Sequence, residues 1–187
     1  METIQIKYKI TFLSDWHAGS GLSSGADADE VVIKDDNNLP YLPGKTIKGL
    51  LKDVFNDFAE AQPELLQKDF IRNNFGEYID TEKKSQMGGL FFSNAELNQK
   101  EKAMISEETS QFLYRNLAST AIAKNGVAKN SSLRNIQVCI PVVLHGYIDG
   151  VHPKDIHHFE AAFKYLRYIG SNRNRGLGRC FCEIIKN

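Results

Sequence analysis

Near the start of the chain, Ile4, Ile6, Tyr8, Ile10 and Phe12 alternate with Gln5, Lys7, Lys9 and Thr11. A period of two belongs to a strand with one buried and one wet face, so a strand is predicted over 4–12. Residues 17–29 (HAGSGLSSGADAD) are small, polar and glycine-rich and carry no core-forming period. A short strand over 31–33 and a turn over 35–38 follow. From Thr46 onward, Ile47, Leu50, Leu51, Val54, Phe55 and Phe58 recur at spacings of three and four. That stripe predicts an amphipathic helix starting just after Pro43 and Gly44. A second short helix is expected over 63–72, a charged surface loop over 77–86 and a strand over 88–97. Residues 98–134 hold weak helical signals and a tip rich in Gly, Asn and Ser. The run 136–148 reads as one strand, with Pro141 requiring an edge position or a bulge. Pro153 opens a helix whose Ile156, Phe159, Phe163, Leu166 and Ile169 share a face, and 179–185 is the final strand.

The order is strand, helix, strand, strand, helix, strand, with insertions after the first strand and between the middle ones. This is the α+β, ferredoxin-like βαββαβ arrangement with an antiparallel sheet, also the platform of RRM-type RNA binders. A length of 187 residues suits one domain with a real core, read here as 1–187. Fold of this kind does not give function, so the loops must carry it.

The formal net charge is zero, so the overall field gives no argument for nucleic acid; the distribution does. Residues 109–148 contain no Asp or Glu but include Arg115, Lys124, Lys129 and Arg134. Residues 167–179 (RYIGSNRNRGLGR) are also acid-free and bear Arg167, Arg173, Arg175 and Arg179. Two such segments on one face would make a positive surface; solvated loops are the alternative. Cys139, Cys180 and Cys182 are an odd set without a disulfide framework and read as buried thiols. No signal-peptide core or membrane-length apolar run is present, and a reducing cytoplasm is the expected compartment.

Three segments hold candidate chemistry. Gly19, Ser20 and Gly21 follow the first strand, where glycines let backbone N–H groups approach a phosphate or sugar. The sequence PGKT (43–46) lacks the glycine of a nucleotide-binding P-loop, since position 39 is Leu39, and two prolines interrupt it. What remains is a helix start with Lys45 and Thr46, extended by Lys48 and Lys52. In GSNRNRGLGR (170–179), the glycines permit tight turns that would present Arg173, Arg175 and Arg179 to phosphates. His17 is a structural, RNA-contacting or general-base histidine. Asp27 and Asp29 are loop acids that could orient a 2′-hydroxyl or hold a hydrated Mg²⁺, or serve neither role. No zinc-ligand spacing is found, and which residues would hold a metal is unknown.

Together WHAGSGLSSGADADEVVIKD (16–35), LPYLPGKTIKGLLKD (39–53) and IGSNRNRGLGRC (169–180) resemble, in order and spacing, the RAMP superfamily of CRISPR-associated proteins. The similarity is to the repeated backbone subunit of type III interference complexes. Departures are Lys45, where a small residue is usual, and Asn94, where Asp is common. The resemblance implies a row of copies of the chain along a guide CRISPR RNA, together with other CRISPR subunits and a target RNA, and no membrane partner. It implies a thumb-like insertion within about 98–134, Ile122 acting as wedge and Lys124 and Arg134 contacting guide. It puts Asp29 at the place of an aspartate that supports Mg²⁺- or similar metal-dependent cleavage of target RNA. Three readings stay open: a target ribonuclease using Asp29, a non-catalytic scaffold or capping subunit, and a guide-processing endoribonuclease with His17 as base.

Overall fold

The computed structural model describes residues 2–21, 28–64, 66, 68–79, 84–120, 122, 124, 126–127 and 132–185. In chain order the elements are β1 (Ile4–Phe12), β2 (Tyr41–Leu42), α1 (Gly44–Ala61), α2 (Lys68–Phe75), β3 (Gly76–Ile79), β4 (Lys84–Met87), β5 (Phe91–Phe92) and β6 (Ala95–Glu96). Then come α3 (Gln99–Met104), α4 (Glu107–Ser110), β7 (Tyr114–Ser119), β8 (Arg134–Cys139), β9 (Val143–Val151), α5 (Ile156–Tyr165) and β10 (Cys180–Ile185).

The main sheet runs β10-β1-β9-β6-β2, with β5 also on β9, and every pairing in it is antiparallel. Taking β5 and β6 as the second core strand, this is the ferredoxin-like order, and the fold class expected from the sequence is the one observed. The alternation in β1 has a direct consequence. Ile6, Tyr8, Ile10 and Phe12 are buried, while Lys9 on the opposite face pairs with Glu183 of β10 at 2.8 Å.

Helices α1 and α5 pack on the buried face. Ile47, Leu51, Val54, Phe55 and Ala59 of α1 are buried, and Phe55 meets Phe70, Phe75 and Phe159 at ring-centroid distances of 5.4, 5.3 and 5.1 Å. Tyr8 stacks on Phe163 at 4.8 Å. Each fully buried aromatic of this kind contributes roughly 1.5–3 kcal/mol, so this cluster is what fastens helix to sheet. Among the described residues no helix is long and apolar enough to cross a membrane.

Several boundaries differ from expectation for identifiable reasons. The single strand predicted over 136–148 is two strands in different sheets. Pro141, without an N–H, separates β8, which pairs with β7, from β9 in the main sheet. The strand expected over 88–97 breaks into β5 and β6. At the break Ser93 N–H donates to Tyr147 O (3.1 Å), and Ser93 Oγ accepts from Tyr147 N–H (2.8 Å). The charged stretch 77–86 forms most of a β3–β4 hairpin rather than only a loop, with 80–83 outside the described residues. Helix α5 stops at Tyr165, before Ile169.

Candidate nucleic-acid interface

The opening segment (13–21) and the closing loop (167–179) are laced together by backbone. Leu13 N–H donates to Arg179 O (2.8 Å), Gly178 N–H to Asp15 O (2.7 Å) and Ser171 N–H to His17 O (2.9 Å). Arg179 N–H donates to Ser14 Oγ at 3.0 Å. Gly170 (φ 99°) and Gly178 (φ 72°) make this approach possible. Both adopt a left-handed backbone, and a Cβ on either would overlap a carbonyl oxygen, that of His17 or of Ile169 respectively. Between them a 3₁₀ turn over Arg173–Arg175 reaches the surface, and Arg173, Arg175 and Arg179 are all exposed.

A third strand-like layer joins them. Trp16 and Cys139 exchange both backbone hydrogen bonds (2.9 and 2.8 Å), tying the opening segment to β8. Residues 28–34 then run between β8 and the opening segment. Gln137 N–H donates to Glu30 O (2.9 Å), Ser20 N–H to Val31 O (3.0 Å) and Ile33 N–H to Ala18 O (2.9 Å). Asp29 is clasped at both ends: its N–H donates to Asn135 O (2.7 Å), and its Oδ2 accepts from Asn135 N–H (2.8 Å). Asp29 is exposed, and Arg134, the next residue to its anchor, is exposed too. Gly19 is exposed, Ser20 half-buried, and Gly21 lies at the exposed end of the segment. Gly25 and Asp27 lie outside the described residues.

His17 is not at the surface. It is 1% exposed; its Nδ1 lies 2.6 Å from Gln137 O, which can only accept, so Nδ1 carries a proton. Its Nε2 lies 3.4 Å from Glu30 Oε2. The ring therefore pins the opening segment to β8, and an RNA contact or general-base role for it has no accessible nitrogen to work through. Behind it, Asp15 (7% exposed) accepts from Arg115 Nε at 2.6 Å and pairs with the same guanidinium's terminal nitrogen. Lys34 Nζ sits 4.0 Å over the Tyr114 ring. Desolvation lowers the Lys34 pKa and raises that of the Tyr114 phenol.

The lysine-bearing helix start does not converge wholly on this junction. Lys45 is exposed at the first turn, and Thr46 N–H donates to Pro43 O. Lys48 and Lys52 line a cleft against β3 and β4, on the side of α1 away from the closing loop. Lys52 Nζ donates to Gly76 O at 2.6 Å, so its ammonium is already engaged. Asn94 Oδ1 accepts from Gly44 N–H at 3.0 Å, which gives the departure at that position a helix-capping role.

The β7–β8 hairpin belongs to the insertion, with β8 bonded to the opening and 28–34 segments at Asn135, Gln137 and Cys139. Ile122 (72% exposed) and Lys124 lie toward its tip, with 121, 123, 125 and 128–131 outside the described residues. Among the described residues no three His, Cys, Asp or Glu side chains gather to hold a metal. The residues that sequence reasoning missed are Asn135, Gln137 and Asp15. Their partners lie 106, 120 and 100 positions away, and no local pattern announces such pairs.

The RAMP superfamily model matches residues 9–181, a span that includes the opening segment, the hairpin and the closing loop. The chain belongs to the RAMP superfamily. A search of curated proteins finds no match. Among solved structures, this RAMP protein is similar to a chain of the Type III-B Cmr-beta bound to cognate target RNA, with TM-score 0.73 and 12% identity over 97% of both chains. It is also similar to a chain of Type III-B Cmr-beta in the apo state, with TM-score 0.70 and 12% identity over 98% of both. At this identity the likeness is one of fold along the whole RAMP chain.

Proposed function

We propose that this RAMP protein is a subunit of a type III CRISPR ribonucleoprotein complex that binds guide RNA and supports metal-dependent cleavage of target RNA through Asp29. Superfamily membership and the fold shared with Type III-B Cmr-beta chains support the complex; the clasp of Asp29 on Asn135 supports the role of that residue. The clasp holds an exposed carboxylate at the loop end of the β7–β8 ladder, where Asn135 pairs with Ala118, beside Arg134 and within a scaffold that also carries the arginine loop. Its second oxygen has no partner among the described residues. One carboxylate does not cage an ion, but it fits a hydrated Mg²⁺, which keeps several waters and takes its remaining ligands from RNA phosphates. The ion's chemistry there would be to activate the attacking 2′-hydroxyl.

The test is to purify the chain with its co-expressed partners and follow a matched target RNA in Mg²⁺. RNA of regular length should co-purify. Asp29→Ala should retain guide and target and lose cutting; cutting at the wild-type rate by that variant defeats the catalytic assignment. Among the described residues no three His, Cys, Asp or Glu side chains gather at Asp29, which favours, as the other reading, a non-catalytic scaffold or capping subunit. A complete wild-type complex that never cuts would select it. The buried ring of His17 weighs against guide processing by that residue.

A further inference from the structure

A groove of about 780 Å³ runs between α1, the C-terminal end of α5 and the tip of the closing loop. On α1 it is lined by Asp53 and Asp57, one turn apart; across from them stand Arg167 and Arg173, with Lys164 beside. Among the described residues no ion pair joins these acids to these bases. Tyr165 and Tyr168 also line the groove, 55% and 42% exposed, and Phe58 braces the Tyr165 ring edge-on at 5.3 Å.

A purely anionic ligand would face two carboxylates here, and a purely cationic one would face three basic groups. The complementary ligand carries an anion, a hydrogen-bond-donating edge and a flat apolar face. A nucleotide with an amino-bearing base has all three. Its phosphate suits the guanidiniums, its ring suits a tyrosine, and its exocyclic amine suits a carboxylate. Uracil presents a carbonyl oxygen where cytosine presents that amine, so the acidic wall rejects it.

We propose that this groove binds single-stranded RNA and selects cytosine over uracil, Asp53 and Asp57 accepting the base amine while Arg167 and Arg173 hold phosphate. This rests on the RNA-binding reading above and adds a base-selective subsite on the side of α1 away from Lys48 and Lys52. A protein segment bearing both charges is the competing occupant. The excess of bases over acids, the two exposed tyrosine rings and the sharing of Arg173 with the closing loop favour RNA.

The experiment measures binding of fluorescent oligocytidine and oligouridine to the full chain. Wild type should prefer oligocytidine by about fivefold or more, the lower end for one well-formed base-edge pair. Asp53→Asn combined with Asp57→Asn should remove that preference and tighten oligouridine binding, with an unchanged melting temperature. Tyr168→Ala should weaken both ligands. Equal wild-type binding to the two, or a preference that survives in the double variant, overturns the subsite while leaving RNA binding intact. Binding to neither sinks the broader reading as well. If the double variant keeps its preference but loses a co-purified protein subunit, the groove is a protein-docking site.

Discussion

The lacing of the closing loop to the opening segment depends on Gly178, and its removal can be costed. In Gly178→Ala the left-handed backbone costs about 1–2 kcal/mol for an L-residue. The new methyl meets Ile169 O, so the loop must shift. That shift breaks the bonds from Gly178 N–H to Asp15 O and from Ile169 N–H to Gly178 O, each worth about 1 kcal/mol. The sum is about 3–4 kcal/mol. For a domain of this length about 1 kcal/mol moves the melting temperature by 2–4 °C, so a fall of about 10 °C is expected. Gly176→Ala is the control: its φ is 84° but a Cβ there meets open space, so only the backbone cost of about 1–2 kcal/mol applies. Trp16 is the chain's one tryptophan, buried and stacked on Phe12 at 4.4 Å, and its fluorescence reports unfolding of this junction. Equal losses in the two variants would show that the close packing of Gly178 contributes nothing, and the lacing argument would fail.

Other outcomes follow from the same contacts. Arg115→Met leaves the buried Asp15 carboxylate without its partner; because Arg115 is 61% exposed, a loss of about 2 kcal/mol is expected in urea unfolding, below the full cost of a buried pair. Adding Asp15→Asn to that variant should restore part of it, and no restoration would mean the charge is not the cause. Lys52→Met should cost about 1 kcal/mol of stability through the Gly76 carbonyl yet leave the salt dependence of RNA binding unchanged; a shallower salt slope would place Lys52 on phosphate instead. Burial raises the pKa of the Cys139 thiol, with Asp15 adding to it, and burial raises that of the Tyr8 phenol. Above the ordinary thiol range, near pH 8.5, the unfolded chain loses protons that the native state keeps, so stability should fall with rising pH. A flat profile between pH 8 and pH 10 would contradict this, and Cys139→Ala should reduce the slope.

What the sequence disclosed and what it withheld divide along the range of the interactions. The period-two run of β1 and the three-four stripe of α1 act through neighbours a few residues apart, and each element appears where its pattern lies. The glycines of 170–178 were legible as turn-formers because left-handed backbone is a local property. Nothing local tells that His17 turns inward. A histidine after a tryptophan in a glycine-rich stretch reads as structural, RNA-contacting or a general base, and what decides for the structural reading is Gln137 on β8 and Glu30 in the segment beside it. Lys48 and Lys52 share a face with Lys45 as the helical period requires, but the period cannot say which neighbour that face meets. The β3–β4 hairpin, formed by a stretch that looked like a solvated loop, takes that side of α1. Both outcomes have one cause, since side-chain direction at a loop or helix surface is decided by the element that packs there. Asp29 shows the converse. Its place in the motif was visible, yet what fixes its carboxylate is a backbone N–H 106 residues away, so the hairpin and the candidate catalytic loop form one structural unit. Any displacement of the loop end of β8 carries Asp29 with it, and hairpin variants should therefore alter cleavage even where they touch no RNA.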